Sequence, residues 1–377
     1  MLSRLQTVFD WLVDGAPDAK TPMDVIARMN PALVDAGVPV ERCEAFVRTL
    51  HPHIAGRSFL WTPGAPVSVI ERTFSYLNSD EFQRGVVGEV FRSGKVSHIK
   101  DGGDGFTSLL AAPLLFKSGQ VHAVTFGTRQ PGGFSDDDVN GILHVVRPLA
   151  RVGEILALAR TATNLLNTYV GRNAGEQILA GQVQRGDTTL IPAVIFFSDL
   201  RGFTSMSTTM EPGEIIKVLN DLFECQVPAI EKHGGEVLKF MGDGLLAIFP
   251  FAPDGAGAAS ACDRALDAVS ESHKSLAVLN ERRAAKEQAP VRFGVGLHVG
   301  EVAYGNIGGA GRLDFTCIGA AVNLASRIEG LTSKLGRDVV TSEKFATMTT
   351  RKMDRVGEAE LKGVAGAVAV FAPSTLK

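Results

Sequence analysis

Long apolar runs are missing from this 377-residue chain. The longest, Leu109 to Phe116, falls far short of the about 20 residues that cross a bilayer and contains Pro113. At the N-terminus, Leu2, Leu5, Phe9 and Leu12 share one helical face and Asp10 interrupts them, the pattern of a packing helix rather than the continuous apolar core of a signal peptide. Blocks of like charge are missing too, and the net charge is −3, so there is no basic face for nucleic acid or an anionic membrane. Cysteine is scarce: Cys43, Cys225, Cys262 and Cys317 form no C-x-x-C pair, which argues against a zinc site and a disulfide framework. These absences leave a cytoplasmic protein with small-molecule or protein partners as the expectation. What remains is ordinary globular composition, 45% apolar and 21% charged, over a length that suggests two domains.

The first third reads as α+β. A helical period near Met23 to Ala36 precedes strand-like runs at Glu44 to Leu50, Ser58 to Trp61 and Val67 to Ile70, and a helix is expected from Asp80 to Arg92, stopped at Gly94. Strands follow at Val96 to Ile99, Leu109 to Phe116 and Val121 to Gly127, the last two joined by a turn over Lys117 to Gln120, and Ser135-Asp136 opens another helix. His51, His53, His98 and His122 are scattered over this region and read as packing or surface residues. Gly102-Gly103-Asp104-Gly105-Phe106 reads as a polar turn. The order of elements, with Gly94-Lys95-Val96, Ala112-Pro113-Leu114 and Phe134-Ser135-Asp136 at the junctions, resembles a GAF domain over about residues 20 to 150. That resemblance implies a unit that binds an unknown small ligand or dimerises.

From Val145 onward, Leu149, Val152, Leu156, Ala159, Thr163, Leu166 and Val170 recur in steps of four and three. This is a heptad seam, expected to form a two-stranded coiled coil, with a helix packed on its own domain as the alternative. The expected division is therefore a sensory domain over 1–144, a dimerising helix and linker over 145–185, and a second domain over 186–377.

The second domain carries the chemistry. Ala193 to Ser198 is an apolar run fit for a buried strand, and Asp199 stands at its end before Leu200-Arg201-Gly202-Phe203-Thr204. An acid at a strand tip, followed by a glycine turn into a helix, can hold a divalent cation while backbone N–H groups meet a phosphate. A helix over Pro212 to His233 leads to strands at Glu236 to Phe240 and Leu245 to Phe249, joined by a tight turn that holds Asp243. Two carboxylates converging from neighbouring strand ends suit a pair of divalent ions and displacement at phosphorus. Beyond a long helix over Gly257 to Lys286 and a strand over Arg292 to His298, a glycine-rich arm from Val299 to Gly311 precedes a strand over Leu313 to Ile318. Asn323 and Arg327 then lie four apart on one helical face, where an amide can fix a sugar and a guanidinium can meet developing phosphoryl charge.

Phe197-Ser198-Asp199-Leu200-Arg201-Gly202-Phe203-Thr204, Leu238-Lys239-Phe240-Met241-Gly242-Asp243-Gly244, and Thr316 through Val322-Asn323-Leu324-Ala325-Ser326-Arg327 resemble the motifs of class III nucleotidyl cyclases. The resemblance covers residues 190 to 372, including Leu361-Lys362-Gly363-Val364. It implies a ferredoxin-like catalytic core that works as a head-to-tail homodimer on ATP, releasing pyrophosphate and cyclic AMP. By position, Asp199, Asp243 and the Leu200 carbonyl resemble the ligands of two Mg²⁺ or Mn²⁺ ions per site, and Gly202, Phe203 and Thr204 the substrate-binding turn. Lys239 and Thr316 resemble the purine-reading pair, and Asn323 and Arg327 the catalytic residues donated by the other protomer. Many adenylyl cyclases have an acid at the Thr316 position; a hydroxyl still accepts from the adenine N6 amine while Lys239 donates to N1. That pair resembles the class IIIb branch, some of whose members respond to bicarbonate, and Arg312 could contribute to such an anion site, with a phosphate or surface contact as the alternative. Guanylate cyclase, disfavoured by Lys239, and a non-catalytic nucleotide-binding module are the alternatives.

Overall fold

The computed structural model describes residues 2–50, 54–309, 311–363 and 366–374; His51, His53 and Val364 lie outside the described residues. The chain forms two compact units, residues 1–165 and 166–377. No helix among the described residues is long and apolar enough to cross a membrane.

The first unit begins with α1 (Gln6–Val13) and α2 (Pro22–Asp35). Thr21 and Asp24 exchange side-chain and backbone hydrogen bonds across the start of α2, with Pro22 in its first turn. After β1 (Arg42–Arg48), β2 (Gly56–Trp61) and β3 (Ser68–Arg72) come three short helices, α3 (Phe74–Leu77), α4 (Asp80–Arg84) and α5 (Val86–Ser93). The single helix expected over Asp80 to Arg92 is thus broken at Gly85, whose extended backbone ends one helix and starts the next. Gly94, at φ 63°, closes α5 in the left-handed conformation. The strands β4 (Ser97–Gly103), β5 (Phe106–Leu115) and β6 (Val121–Thr128) complete an antiparallel sheet in the order β3-β2-β1-β6-β5-β4. Asp104 and Gly105, both at positive φ, form the two-residue turn between β4 and β5.

One face of this sheet is covered by α1, α2 and the first half of α6 (Asp136–Val170). Val145, Leu149 and Val152 of the expected seam are buried in that core, and Leu156 packs against it. This first half of the seam follows the stated alternative, a helix packed on its own domain, because the apolar sheet face beneath it needs a cover. A different row of side chains on α6 stays outside: Ile155, Leu158, Leu165 and Tyr169 are 64%, 69%, 41% and 81% exposed. With Ala162, also exposed, they recur in steps of three and four. His122 is a core residue: its ring centroid lies 4.1 Å from that of Phe116, with the planes tilted by 51°, and its Nδ1 accepts the Arg48 backbone N–H at 3.0 Å. His98 shares a hydrogen bond with Ser108.

The second unit opens with the end of α6 and α7 (Arg172–Leu179), which Asn173 ties to the buried Glu236 at 3.0 Å. Then come β7 (Thr188–Leu200), α8 (Phe203–Thr209), α9 (Pro212–Lys232), β8 (Glu236–Met241), β9 (Gly244–Pro250), α10 (Ala258–Ala284) and β10 (Phe293–Gly309). Leaving out the short α8, this is a β-α-β-β-α-β unit whose strands lie in the order β10-β7-β9-β8, the ferredoxin-like arrangement. The glycine-rich arm expected after His298 is strand: β10 runs 17 residues to Gly309 and turns back as β11 (Arg312–Ile318). Glycine lowers strand propensity, but pairing to β7 and β11 along this length satisfies the backbone regardless.

Past β11 come α11 (Ala320–Glu329), α12 (Leu331–Leu335), β12 (Val339–Ser342), α13 (Glu343–Met348), β13 (Met353–Glu360) and β14 (Ala367–Pro373). Three of these strands extend the sheet beyond β10. Alternate residues of the central strands feed two cores. Val194, Phe196, Val295 and Leu297 face α9 and α10, whereas Ala193, Ile195, Val302 and Tyr304 join Ala174 of α7 and Ala321 and Ala325 of α11.

Candidate active site

Asp199 shares its side-chain parity with Ile195, so it belongs to the face that α11 covers. Ser198, pointing the other way, is held by a buried hydrogen bond to Gln226 at 2.8 Å, which anchors the strand end. The β7–β9 register sets Asp199 opposite Gly244, the residue that closes the turn holding Asp243. A Cβ on Gly244 would stand 3.3 Å from Asp199 Oδ1, so the absence of a side chain there keeps the space beside the carboxylate open. The two carboxylates meet, and Glu329 at the end of α11 adds a third negative group nearby. Burial, then Asp243, then Glu329 push the Asp199 carboxyl up to about 7.

Crowded carboxylates held at this cost fit a cation, whose charge would offset their repulsion. Asp199, Asp243 and the Leu200 backbone carbonyl are the groups available to one. Among the described residues no set of three or more His, Cys, Asp or Glu side chains converges to enclose a metal by itself.

After β7 the chain turns at Gly202, in the left-handed region at φ 78°, into α8. Phe203 packs into the α9–α10 core and Thr204 is exposed. The turn therefore stands beside Asp199, with Phe203 as its anchor.

Lys239 and Thr316 come from β8 and β11. Lys239 Nζ donates to Asp314 Oδ2 at 3.2 Å. Thr316 is buried, and its hydroxyl has no hydrogen-bond partner among the described residues. Asp314 and Glu329 are charged residues that motif spacing did not single out. Asp314 was within reach of sequence reasoning, since it precedes Thr316 by two on a strand and so shares its face.

Asn323 is exposed and Arg327 half-buried on α11. A Cβ on Gly363 would lie 3.6 Å from Arg327 Nη1, so the closing segment lines the guanidinium. At 1.5 Å per residue, Asn323 lies about 9 Å along the helix axis from Glu329. Within one chain, then, the Asn323 end of α11 points away from the end beside Asp199. Arg312 is exposed opposite Gly309 in the β10–β11 hairpin, and no charged partner for it occurs among the described residues.

Residues 189–372 match the family described as Adenylate and Guanylate cyclase catalytic domain. The chain is 41% identical over 153 residues to an adenylate cyclase of Anabaena cylindrica, a match that covers 40% of this chain and 29% of that protein. It is similar to the crystal structure of the guanylyl cyclase Cya2 at 32% identity, covering 50% of this chain and 95% of that one, with a TM-score of 0.45. A bacterial light-regulated adenylyl cyclase matches at 20% identity over 71% of this chain and 86% of that one, with a TM-score of 0.51, a likeness of fold. The chain spans less than a third of the length of the curated relatives it matches, 29% for the first three.

Proposed function

From the match of residues 189–372 to the adenylate and guanylate cyclase catalytic domain family, we propose that the chain converts ATP to 3′,5′-cyclic AMP and pyrophosphate at sites shared by two copies. The observation that carries this is the meeting of Asp199 and Asp243 at neighbouring strand ends, with the Asp199 carboxyl raised by its neighbours. Asp199, Asp243 and the Leu200 carbonyl would hold two Mg²⁺ or Mn²⁺ ions. Such ions, when bound, acidify the ribose 3′-hydroxyl and neutralise phosphate charge.

The chain's own groups do the rest. Lys239 donates to adenine N1, and the Thr316 hydroxyl accepts from the N6 amine. Asn323 orients the ribose. Arg327 donates to a non-bridging oxygen of the α-phosphate as charge develops there. Backbone N–H groups after Gly202, at Phe203 and Thr204, meet the phosphates. The 3′-oxygen gives up its proton to water and bonds to the α-phosphorus while the bond to the bridging oxygen breaks, and pyrophosphate leaves.

A second copy supplies Asn323 and Arg327 to the carboxylates of the first. Phe240, Leu313 and Ile318, exposed apolar side chains on β8 and β11, support such an interface. The exposed row on α6, Ile155, Leu158, Ala162, Leu165 and Tyr169, supports a parallel pairing of two helices upstream. The first unit is then a GAF-like sensor of a small ligand, whose state reaches the site through that pair. Lys239 weighs against GTP, because an ammonium would face the guanine N1–H donor to donor.

The test is turnover by the full chain of ATP and, separately, GTP with Mg²⁺ or Mn²⁺. Cyclic AMP from ATP, with little product from GTP, is expected. Metal-dependent nucleotide binding without any cyclic product would overturn the catalytic reading in favour of a binding module.

A further inference from the structure

The first unit holds a cavity of about 700 Å³ that no step of the proposed reaction uses, a size that takes a small organic molecule. It lies past the end of β1, between α3, the β5–β6 turn and α6. The sheet face beneath α4 and α5 is a different place and is filled: the Phe46 ring centroid lies 5.7 Å from that of Phe82 and 5.2 Å from that of Phe91. Two features of the cavity lining define its occupant. Leu50, Phe74 and Leu158 are 58%, 53% and 69% exposed, come from three separate segments and all line this one cavity, with Leu77 and Phe116 beside them. Exposed apolar side chains converging on one concavity fit an apolar body that would cover them. The second feature is charge. Arg48 stands at the cavity with its guanidinium over the Phe91 ring, 5.3 Å from its centroid. Among the described residues no carboxylate pairs with it, since Glu154, the acid of the lining, is bound to Arg151 at 2.7 Å and accepts the Ser118 backbone N–H. Asn78 and Gln120 add amide donors to the lining.

We infer that this cavity binds a small amphipathic organic anion, a carboxylate or phosphate monoester on an apolar body, with its head group on the Arg48 guanidinium and its body among Leu50, Phe74, Leu77, Phe116 and Leu158. This deepens the reading of the first unit as a small-ligand sensor and rests on it for its regulatory meaning. Arginine suits such a head group because its planar fork meets two anionic oxygens at once. One wall of the cavity is α6, through Glu154, Ala157, Leu158 and Thr161, and Leu158 also belongs to the exposed row on that helix. An occupant therefore touches the helix proposed to pair with a second copy. A ligand shifts such an equilibrium only by binding the paired and unpaired states differently, and contact with Leu158 supplies that difference.

The experiment is titration calorimetry of the full chain with four probes of one chain length: octanoate, monooctyl phosphate, 1-octanol and octylammonium. Saturable binding of the two anions is expected, at least about tenfold tighter than that of the alcohol or the cation, as one charged hydrogen-bonded pair provides. The tighter anion names the head group. Affinity should fall about fourfold for each methylene removed from octanoate. Arg48→Gln is expected to bind octanoate no more tightly than octanol, and Arg48→Lys to recover part of the difference. Arg48 is exposed, so both variants should melt with wild type; if Arg48→Gln melts lower, the ranking of the four probes on wild type decides. Octanol bound as tightly as octanoate, equal octanoate affinity in wild type and a folded Arg48→Gln chain, or no saturable binding at millimolar probe overturns the inference. Cyclic AMP formation is followed in the same samples. Arg48-dependent octanoate binding that leaves the rate unchanged upholds the site and defeats the sensor reading alone.

Discussion

Replacing Gly296 by alanine adds one methyl group to β10 where α11 lies closest. The new Cβ would stand 2.5 Å from the Ala325 carbonyl oxygen and 2.8 Å from Glu329 Cα, with the Glu329 amide nitrogen closer still. Packed carbon contacts sit near 3.5–4.0 Å, so roughly 1 Å must be regained. Every atom in the way is backbone, and no change of rotamer relieves it. Overpacking costs about 1–3 kcal/mol, and a clash with a helix backbone belongs at the upper end. For a unit of this size, about 2–4 °C per kcal/mol translates this into a melting transition lowered by about 6–12 °C. The same displacement moves Asn323 and Arg327, which ride on α11, and misplacement of about 1 Å can cost 10²-fold in rate. Calorimetry of the full chain would read the second unit's transition, and cyclic AMP formation would read the site. Gly309→Ala is the control, since a Cβ there meets nothing within 4 Å among the described residues. A Gly296→Ala protein that melts and turns over like wild type would refute the idea that this glycine sets the distance between helix and sheet.

His122 and His298 are buried, neutral imidazoles whose pKa values are pushed down to about 4, first by desolvation and then by Arg48 and Lys344 respectively. The unfolded chain takes up those protons near pH 6.5. The stability they represent is complete above that pH and falls as pH drops toward 4, by about 2 kcal/mol in each unit at pH 5. Melting temperatures that stay flat between pH 7 and pH 5 would contradict this. Asp199→Asn removes a carboxylate held at a cost, so the metal-free protein should melt no lower than wild type, while the rise in melting temperature on adding Mn²⁺ disappears and turnover drops at least about 100-fold. A Mn²⁺ effect as large as in wild type would mean that the ion binds elsewhere. Mixing Asp199→Ala and Arg327→Ala chains, each inactive alone, should restore about a quarter of wild-type turnover if half the dimers are mixed and each carries one intact site; no recovery after subunit exchange counts against the shared site. Leu158→Glu places a charge in the exposed row on α6 and is expected to weaken self-association in sedimentation without lowering the melting temperature of the first unit. Leu149→Glu, in the buried row, should unfold that unit instead.

Local chemistry made much of the chain legible. The reciprocal bonds of Ser135 with Asp138 start a helix where the sequence placed one, and those of Thr21 with Asp24 open α2 just ahead of the helical period seen from Met23. The apolar run before Asp199 and the Gly242–Gly244 turn marked two strand ends and the acids on them. The helix over Asp80 to Arg92 is broken at Gly85. Two further differences depended on partners that lie far off in the chain: the glycine-rich arm after His298 is strand, and the first half of the seam on α6 turned inward.

By itself the sequence determined the candidates for the chemistry and their order: local pattern sets Asp199 at a strand end, Asp243 in a turn and Asn323 and Arg327 on one helical face, whereas Lys239 and Thr316 stand out only through their resemblance to the cyclase motifs. Only the tertiary structure decided their company. The β7–β9 register brings Asp199 against the Asp243 turn, β8 delivers Lys239 to Asp314 on β11, and the bare backbone of Gly296 lets α11 close on the sheet with Glu329 near the carboxylates. It also chose which row of α6 is buried. Periodicity shows that a helix has an apolar row, but which row is covered depends on the surface that the rest of the chain presents to it.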